Sequence, residues 1–135
     1  MIGLLLQVAC LIPQPITTDT IQEYRSCTTA NEQVSYVSHW TPLVQKYFKQ
    51  QDVHKALRVI YCESRGKQYA YNTNKDGSDD AGLMQFNNKT WAWLKPKLNI
   101  QKDRYDSETN IAVGSWLVYN YGWHHWNASK HCWNK

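Results

Sequence analysis

Glu63 directly follows Cys62 at what reads as the end of a helix. Three more acids, Asp76, Asp79 and Asp80, follow in the polar loop "NTNKDGSDDAG". Such a grouping is open to three readings: a solvated turn, a metal site or a pair of catalytic carboxylates. The last is the pattern of a glycosidase, in which two carboxyl groups work in different environments. One stays protonated and donates to the leaving oxygen, and a Glu at a buried helix end suits that task. The other stays ionised to attack or stabilise an oxocarbenium-like centre, and Asp80, in a hydrogen-bonding loop, suits that one. A retaining mechanism would place the two about 5–5.5 Å apart. Asp76 and Asp79 read as solvated turn residues, as most Asp side chains are.

The surrounding elements must hold Glu63 and Asp80 face to face. "TPLVQKYFKQ" reads as a helix with Thr41 as N-cap and Pro42 in its first turn. Asp52 could cap a second helix, whose Val53, Ala56, Leu57 and Ile60 repeat at helical spacing and form a buried face. That helix should end near Gly66. Glu63 then sits at its C-terminal end, where the helix dipole and burial both disfavour a negative charge and raise the pKa. Residues 71–82, dense in Asn, Asp, Gly and Ser, predict turns and a short hairpin. A short helix over Asn88 to Leu94 should stop before Pro96. A longer one, capped by Asp106 or Ser107, should run through Tyr119, bury Ile111, Ser115 and Val118, and stop at Gly122. The expected fold class is mainly α (α+β), with one small β-hairpin beside the cleft.

The 135 residues suit one domain. We expect three parts: an apolar N-terminal segment over 1–15, a linker or irregular arm over 16–40, and a catalytic domain over 41–135. The first segment, "MIGLLLQVACLIPQP", is short for a membrane span and suits a signal-peptide core or a lipid anchor at Cys10. Export would allow disulfides among Cys10, Cys27, Cys62 and Cys132. Cys62 with Cys132 is the favoured pair, with Cys10 lost or lipidated and Cys27 left free. The net charge of +4 favours anionic partners such as wall polymers. The basic residues are scattered, which argues against nucleic acid. Seven Trp and nine Tyr against two Phe supply flat, polar-edged rings for stacking on sugars, although each is more often a core residue. His124, His125 and His131 lack ligand spacing, so no metal and no cofactor is expected.

The segment from Glu63 to Asn87 resembles the active-site segment of c-type lysozymes. The matching residues are Glu63, Ser64, Ala70, Asn72, Asn74, Asp76-Gly77-Ser78, Asp80, Gly82, Gln85 and Asn87. The rest is similar to soluble lytic transglycosylases and goose-type lysozymes, through "ESRG", "GLMQ", "DSETNI" and "YNYG". The eight-cysteine framework of c-type lysozymes is missing. The resemblance implies a lysozyme-like fold acting on the β-1,4 bond between N-acetylmuramic acid and N-acetylglucosamine. It implies Glu63 as general acid, Asp80 as nucleophile or stabiliser, and Asn74 as a support for the Asp80 loop. It also implies Gln85 and Asn87 in contact with sugar, and Tyr119 near the acid. Ser64 is expected to orient groups locally, and Trp123 to stack on sugar alongside Trp91, Trp93 and Trp126. The alternatives are a lytic transglycosylase that uses Glu63 alone and leaves 1,6-anhydro ends, and a non-catalytic glycan-binding module. The expected setting is secreted, periplasmic or bound to the cell envelope. The expected partners are glycan strands and, through the N-terminal anchor alone, a membrane, with the protein itself a monomer.

Overall fold

A computed structural model describes residues 8–135. At its centre is α3 (Gln50–Ser64), whose Val53, Ala56, Leu57, Val59 and Ile60 are all fully buried. Apolar residues at helical spacing explain both its formation and its central place. Its N-cap is Lys49, which makes no side-chain cap; Asp52 lies instead in the first turn. There its charge opposes the positive end of the helix dipole. At the other end the chain leaves the helix through left-handed Arg65 and Gly66. A Cβ on Gly66 would stand 2.9 Å from a Val37 methyl, and Trp40 Nε1 donates to the Gly66 carbonyl at 2.8 Å.

Around α3 pack α1 (Thr18–Tyr36), α2 (Thr41–Tyr47) and, from the other end of the chain, α6 (Lys130–Trp133). The stretch expected to be a linker or arm is thus largely α1. Thr17 and Thr20 form a capping box at its start. Only Ala30, Gln33 and Val34 of α1 are buried. So few buried positions in a Thr-, Gln- and Ser-rich stretch leave little periodic signal, and packing on α3 decides the conformation. Cys10 is bonded to Cys27, which corrects the expectation of a lost or lipidated Cys10 and a free Cys27. The main-chain N–H of Val8 donates to Asn31 Oδ1 at 3.0 Å, so this end of the chain lies along α1. Residues 1–7, about half of the expected signal or anchor segment, lie outside the described residues.

A 3-10 turn over Ser38–Trp40 precedes α2, so the N-cap is Trp40 rather than Thr41, whose side chain is buried. After α3 comes a three-stranded antiparallel sheet in place of a single hairpin: β1 (Tyr71–Thr73), β2 (Asp79–Ala81) and β3 (Phe86–Asn87), in that order. Asp80 is opposite Asn72 on one side and Asn87 on the other. Next, α4 (Asn88–Lys97) carries Pro96 within its last turn instead of stopping before it. The carbonyl that loses its partner belongs to exposed Ala92, where water can replace the missing N–H. Asp106 caps α5 (Ser107–Tyr121) by accepting from Thr109 N–H, and Gly122 ends it, both as expected. A 3-10 stretch, Trp123–Ser129, leads into α6, which the Cys62–Cys132 bond ties to the end of α3.

Candidate active site

The turn between β2 and β3 sets the floor. Gly82 has a positive φ, and a Cβ there would collide with the Arg104 carbonyl at 2.2 Å and Asn110 Nδ2 at 2.3 Å. Asn110 is fully buried; its Oδ1 accepts from Met84 N–H at 2.9 Å and its Nδ2 donates to the Arg104 carbonyl at 2.8 Å. A Cβ on Gly114 would stand 2.3 Å from Met84 sulfur. "GLMQ" and "DSETNI" are therefore two halves of one joint. Arg104 completes it by donating to Asp79 Oδ1 at 2.6 Å and to the Asp79 and Phe86 carbonyls. Asp79 belongs to that clamp and not to the chemistry.

On this floor Asp80 is held from both sides. Asn74 Nδ2 donates to one carboxylate oxygen and Asn87 Nδ2 to the other, each at 3.0 Å. The second N–H of each amide goes to Ser78 Oγ, at 3.1 and 3.0 Å. Ser78 in turn donates to Asp76 Oδ1 at 2.6 Å. The Ser78 hydroxyl and N–H and the Lys89 ammonium pull the Asp76 carboxyl down to about 2. Asp76 thus stays ionised, and it fixes the Ser78 hydroxyl so that both amides aim at Asp80. Four polar side chains of one loop hold a single carboxylate ready.

Glu63 is half-buried at the end of α3. Burial pushes its pKa up from the ordinary 4.5, a hydrogen bond from Ser129 opposes this, and the negative charge of Asp80 adds to the rise. Ser129 Oγ donates to Glu63 Oε1 at 2.5 Å and accepts from Trp133 Nε1 at 3.2 Å. Trp126 is buried, donates to the Met84 carbonyl at 2.9 Å, and so joins the tail to the floor.

Several expected site residues play other parts. Both N–H groups of Asn87 serve Asp80 and Ser78, and its Oδ1 caps α4. Gln85 donates to the Ala70 and Gly82 carbonyls and braces the loop. Ser64 is buried and folds back on its own helix end, donating to the Ile60 carbonyl and accepting from Gly66 N–H. Tyr119 is not near the acid: it donates to Asp52 Oδ2 at 2.7 Å and accepts from Lys49 N–H at 2.8 Å. Asp52 precedes Glu63 by eleven residues of α3, roughly 16 Å along the axis. Trp123 packs on Phe48 and Trp133, with the Lys55 ammonium 4.9 Å from its ring centre, so its faces are taken by the protein. Trp91 and Trp126 are core, and Trp93 is about half exposed.

Ser129, the group bound to the acid, was missed. The signal was there: "WNAS" repeats the aromatic-Asn-x-small pattern of "YNYG" seven residues later. Only the fold shows which copy meets Glu63. A cleft of about 720 Å³, lined by Gln68, Tyr69 and the Gln101–Asp106 loop, is bordered by neither carboxylate; Glu63 lines a different pocket of about 510 Å³.

The family model for the transglycosylase SLT domain matches residues 43–127, more than half of the chain. The chain belongs to this family. No curated protein and no solved structure matches it. SLT domains act on peptidoglycan outside the cytoplasm, where the two disulfides also fit. The protein is accordingly a peptidoglycan-cleaving enzyme with a lysozyme-like, mainly α fold. The matched residues include Glu63, Asp80 and the Gly82–Asn110 joint, whereas α1, Ser129 and α6 lie beyond them.

Proposed function

We propose that the protein hydrolyses the β-1,4 bond between N-acetylmuramic acid and N-acetylglucosamine, with Glu63 as general acid. Asp80 is the nucleophile or electrostatic stabiliser. The observation that supports this reading is the Asp80 carboxylate, held between the Asn74 and Asn87 amides, with its charge adding to the raised pKa of half-buried Glu63. A loop residue without a chemical task would not need two amides, a hydroxyl and an ionised Asp76 to aim it. Glu63, its pKa raised by burial, gives its proton to the glycosidic oxygen as the bond to C1 breaks. Asp80 meets the positive charge that develops at C1, and water completes the cleavage.

The family match favours a second reading. Glu63 would act alone: it would protonate the leaving oxygen as the bond to C1 breaks, then take the proton of the muramic acid C6 hydroxyl as that oxygen attacks C1 and closes a 1,6-anhydro ring. The two readings separate in the mass of the products released from purified peptidoglycan. Reducing muramic acid ends support hydrolysis. Ends lighter by one water overturn it in favour of ring closure, and Asp80 becomes a loop residue. No fragments from wild type on several wall types would leave glycan binding without cleavage.

A further inference from the structure

Resting on that reading of Glu63, we propose that Trp133 is a positioning residue for the acid: its indole N–H sets the Ser129 hydroxyl so that the hydroxyl donates to Glu63. A hydroxyl has one proton to give and two lone pairs that accept. Two acceptors lie within reach of the Ser129 proton, Glu63 Oε1 at 2.5 Å and the Trp126 carbonyl at 3.2 Å. Trp133 Nε1 reaches Ser129 Oγ at 3.2 Å and that same Trp126 carbonyl at 3.1 Å. An indole N–H can only donate. It therefore occupies a lone pair of Ser129 and engages the competing carbonyl, and the Ser129 proton is left for Glu63. A buried indole needs one partner, and the Trp126 carbonyl would serve. Sharing the N–H with Ser129 is what ties the ring to the acid.

The consequence falls on the two oxygens of Glu63. Among the described residues, Ser129 supplies the one hydrogen bond to this carboxyl, and it goes to Oε1. With Oε1 filled by a donor, the acid's own proton belongs on Oε2, from which it can pass to a glycosidic oxygen. Were the Ser129 proton turned to Trp126, Oε1 could carry the acid's proton and spend it on Ser129. The placing of the ring is built in. Glu63 directly follows Cys62 and Trp133 directly follows Cys132, so the disulfide between them, with Cα atoms 5.9 Å apart, brings acid and indole together. Trp133 is 3% exposed. The Lys55 ammonium of α3 lies 4.9 Å from its ring centre, and Trp123 packs against it at 6.1 Å. Close packing and a cation over its face hold the indole toward Ser129. The charged or titratable groups around Glu63 are Asp80 and, on the walls of its pocket, Arg65, His131 and Lys135; Lys55 faces Trp133. Removing the N–H alters none of them.

The test replaces Trp133 by benzothienylalanine, which keeps the shape of the ring and has no N–H. The NMR shift of the Glu63 side-chain carboxyl is followed against pH. With Ser129 in place, the Glu63 titration should move to higher pH and the upper limb of the pH–activity profile with it, with kcat down about threefold to tenfold and KM little changed. With Ser129→Ala already made, the same replacement should move the titration no further, because the two groups act as one unit. An unmoved titration, or an equal movement in both backgrounds, would overturn the assignment. Trp133→Phe also lacks the N–H and should move the titration the same way, while its Tm reports the packing cost separately. Peptidoglycan cleavage by Glu63→Gln judges the acid on its own: cleavage at the wild-type rate would sink the reading of Glu63 and keep the link from Trp133 to its carboxyl.

Discussion

Helix α3 carries an acid–hydroxyl pair at each end. At the start, Asp52 accepts from Tyr119 at 2.7 Å; at the finish, Glu63 accepts from Ser129 at 2.5 Å. The hydrogen bonds are alike and the surroundings are not. Asp52 stands at the positive end of the helix dipole, where a carboxylate is welcome, and it fastens α5 to α3. Glu63 stands at the negative end, half-buried beside the Cys62–Cys132 bond and the aromatic tail, and the charge of Asp80 adds to the rise of its pKa. The first pair is a structural tie; the second holds a carboxyl of raised pKa, the group proposed above as the proton donor. Burial, dipole direction and a nearby charge make the difference, not the residue types.

The strongest way to break this contrast is Glu63→Gln against Asp52→Asn. Loss of a general acid should lower peptidoglycan cleavage by about 10²–10⁴-fold, while Asp52→Asn stays within about twofold. Equal losses would erase the distinction. The same variant has a pH signature in stability. Folding raises the Glu63 pKa, so the folded state keeps a proton that the unfolded chain releases near 4.5. Stability therefore falls as pH rises from that value through the folded pKa. Glu63→Gln removes this loss, and its Tm should gain on wild type at neutral pH relative to pH 4.

Asp80→Asn tests the partner of the acid. Under hydrolysis, cleavage should drop about 10²-fold or more, the scale of lost transition-state charge stabilisation. Asn74→Ala and Asn87→Ala, which loosen Asp80 without removing it, should fall between this variant and wild type. If Asp80→Asn kept full activity, Glu63 would act alone.

A smaller effect is expected from Ser129→Ala. The Ser129 hydroxyl favours ionised Glu63, so its loss raises the Glu63 pKa further. The upper limb of the pH–activity profile should move to higher pH, with kcat reduced by about threefold to tenfold and KM little changed. Ser129→Thr should restore the profile. A fall in activity with an unshifted profile would make Ser129 a packing residue only.

The smallest effect should come from Tyr119→Phe at the other end of α3. It loses two exposed hydrogen bonds, one to Asp52 and one from Lys49 N–H, costs about 1–2 kcal/mol in denaturant unfolding, and leaves the pH–activity profile in place. A large loss of cleavage in this variant would put Tyr119 back among the residues that serve the acid.

How much was legible follows from where the causes lie. The periodic face of α3, the Asp106 cap and the Gly122 stop are local, and the chain alone dictates them. So are the Asp80 loop and its amides, because a turn rich in Asn, Asp and Ser satisfies its own polar groups within a few residues. Glu63 could be read as a raised acid from its place on a buried helix end, and Cys62 with Cys132 could be favoured as a pair. What depended on distant partners was not legible. α1 is a helix because a few of its side chains find α3, and Cys10 meets Cys27 because the chain before α1 lies along it. The tertiary fold also chose between two similar short patterns, sending Tyr119 to Asp52 and Ser129 to Glu63. Sequence carries the chemistry each side chain can do and the local geometry it prefers. Which hydroxyl meets which acid is decided when helices far apart in the chain pack together, since burial and fields act through space.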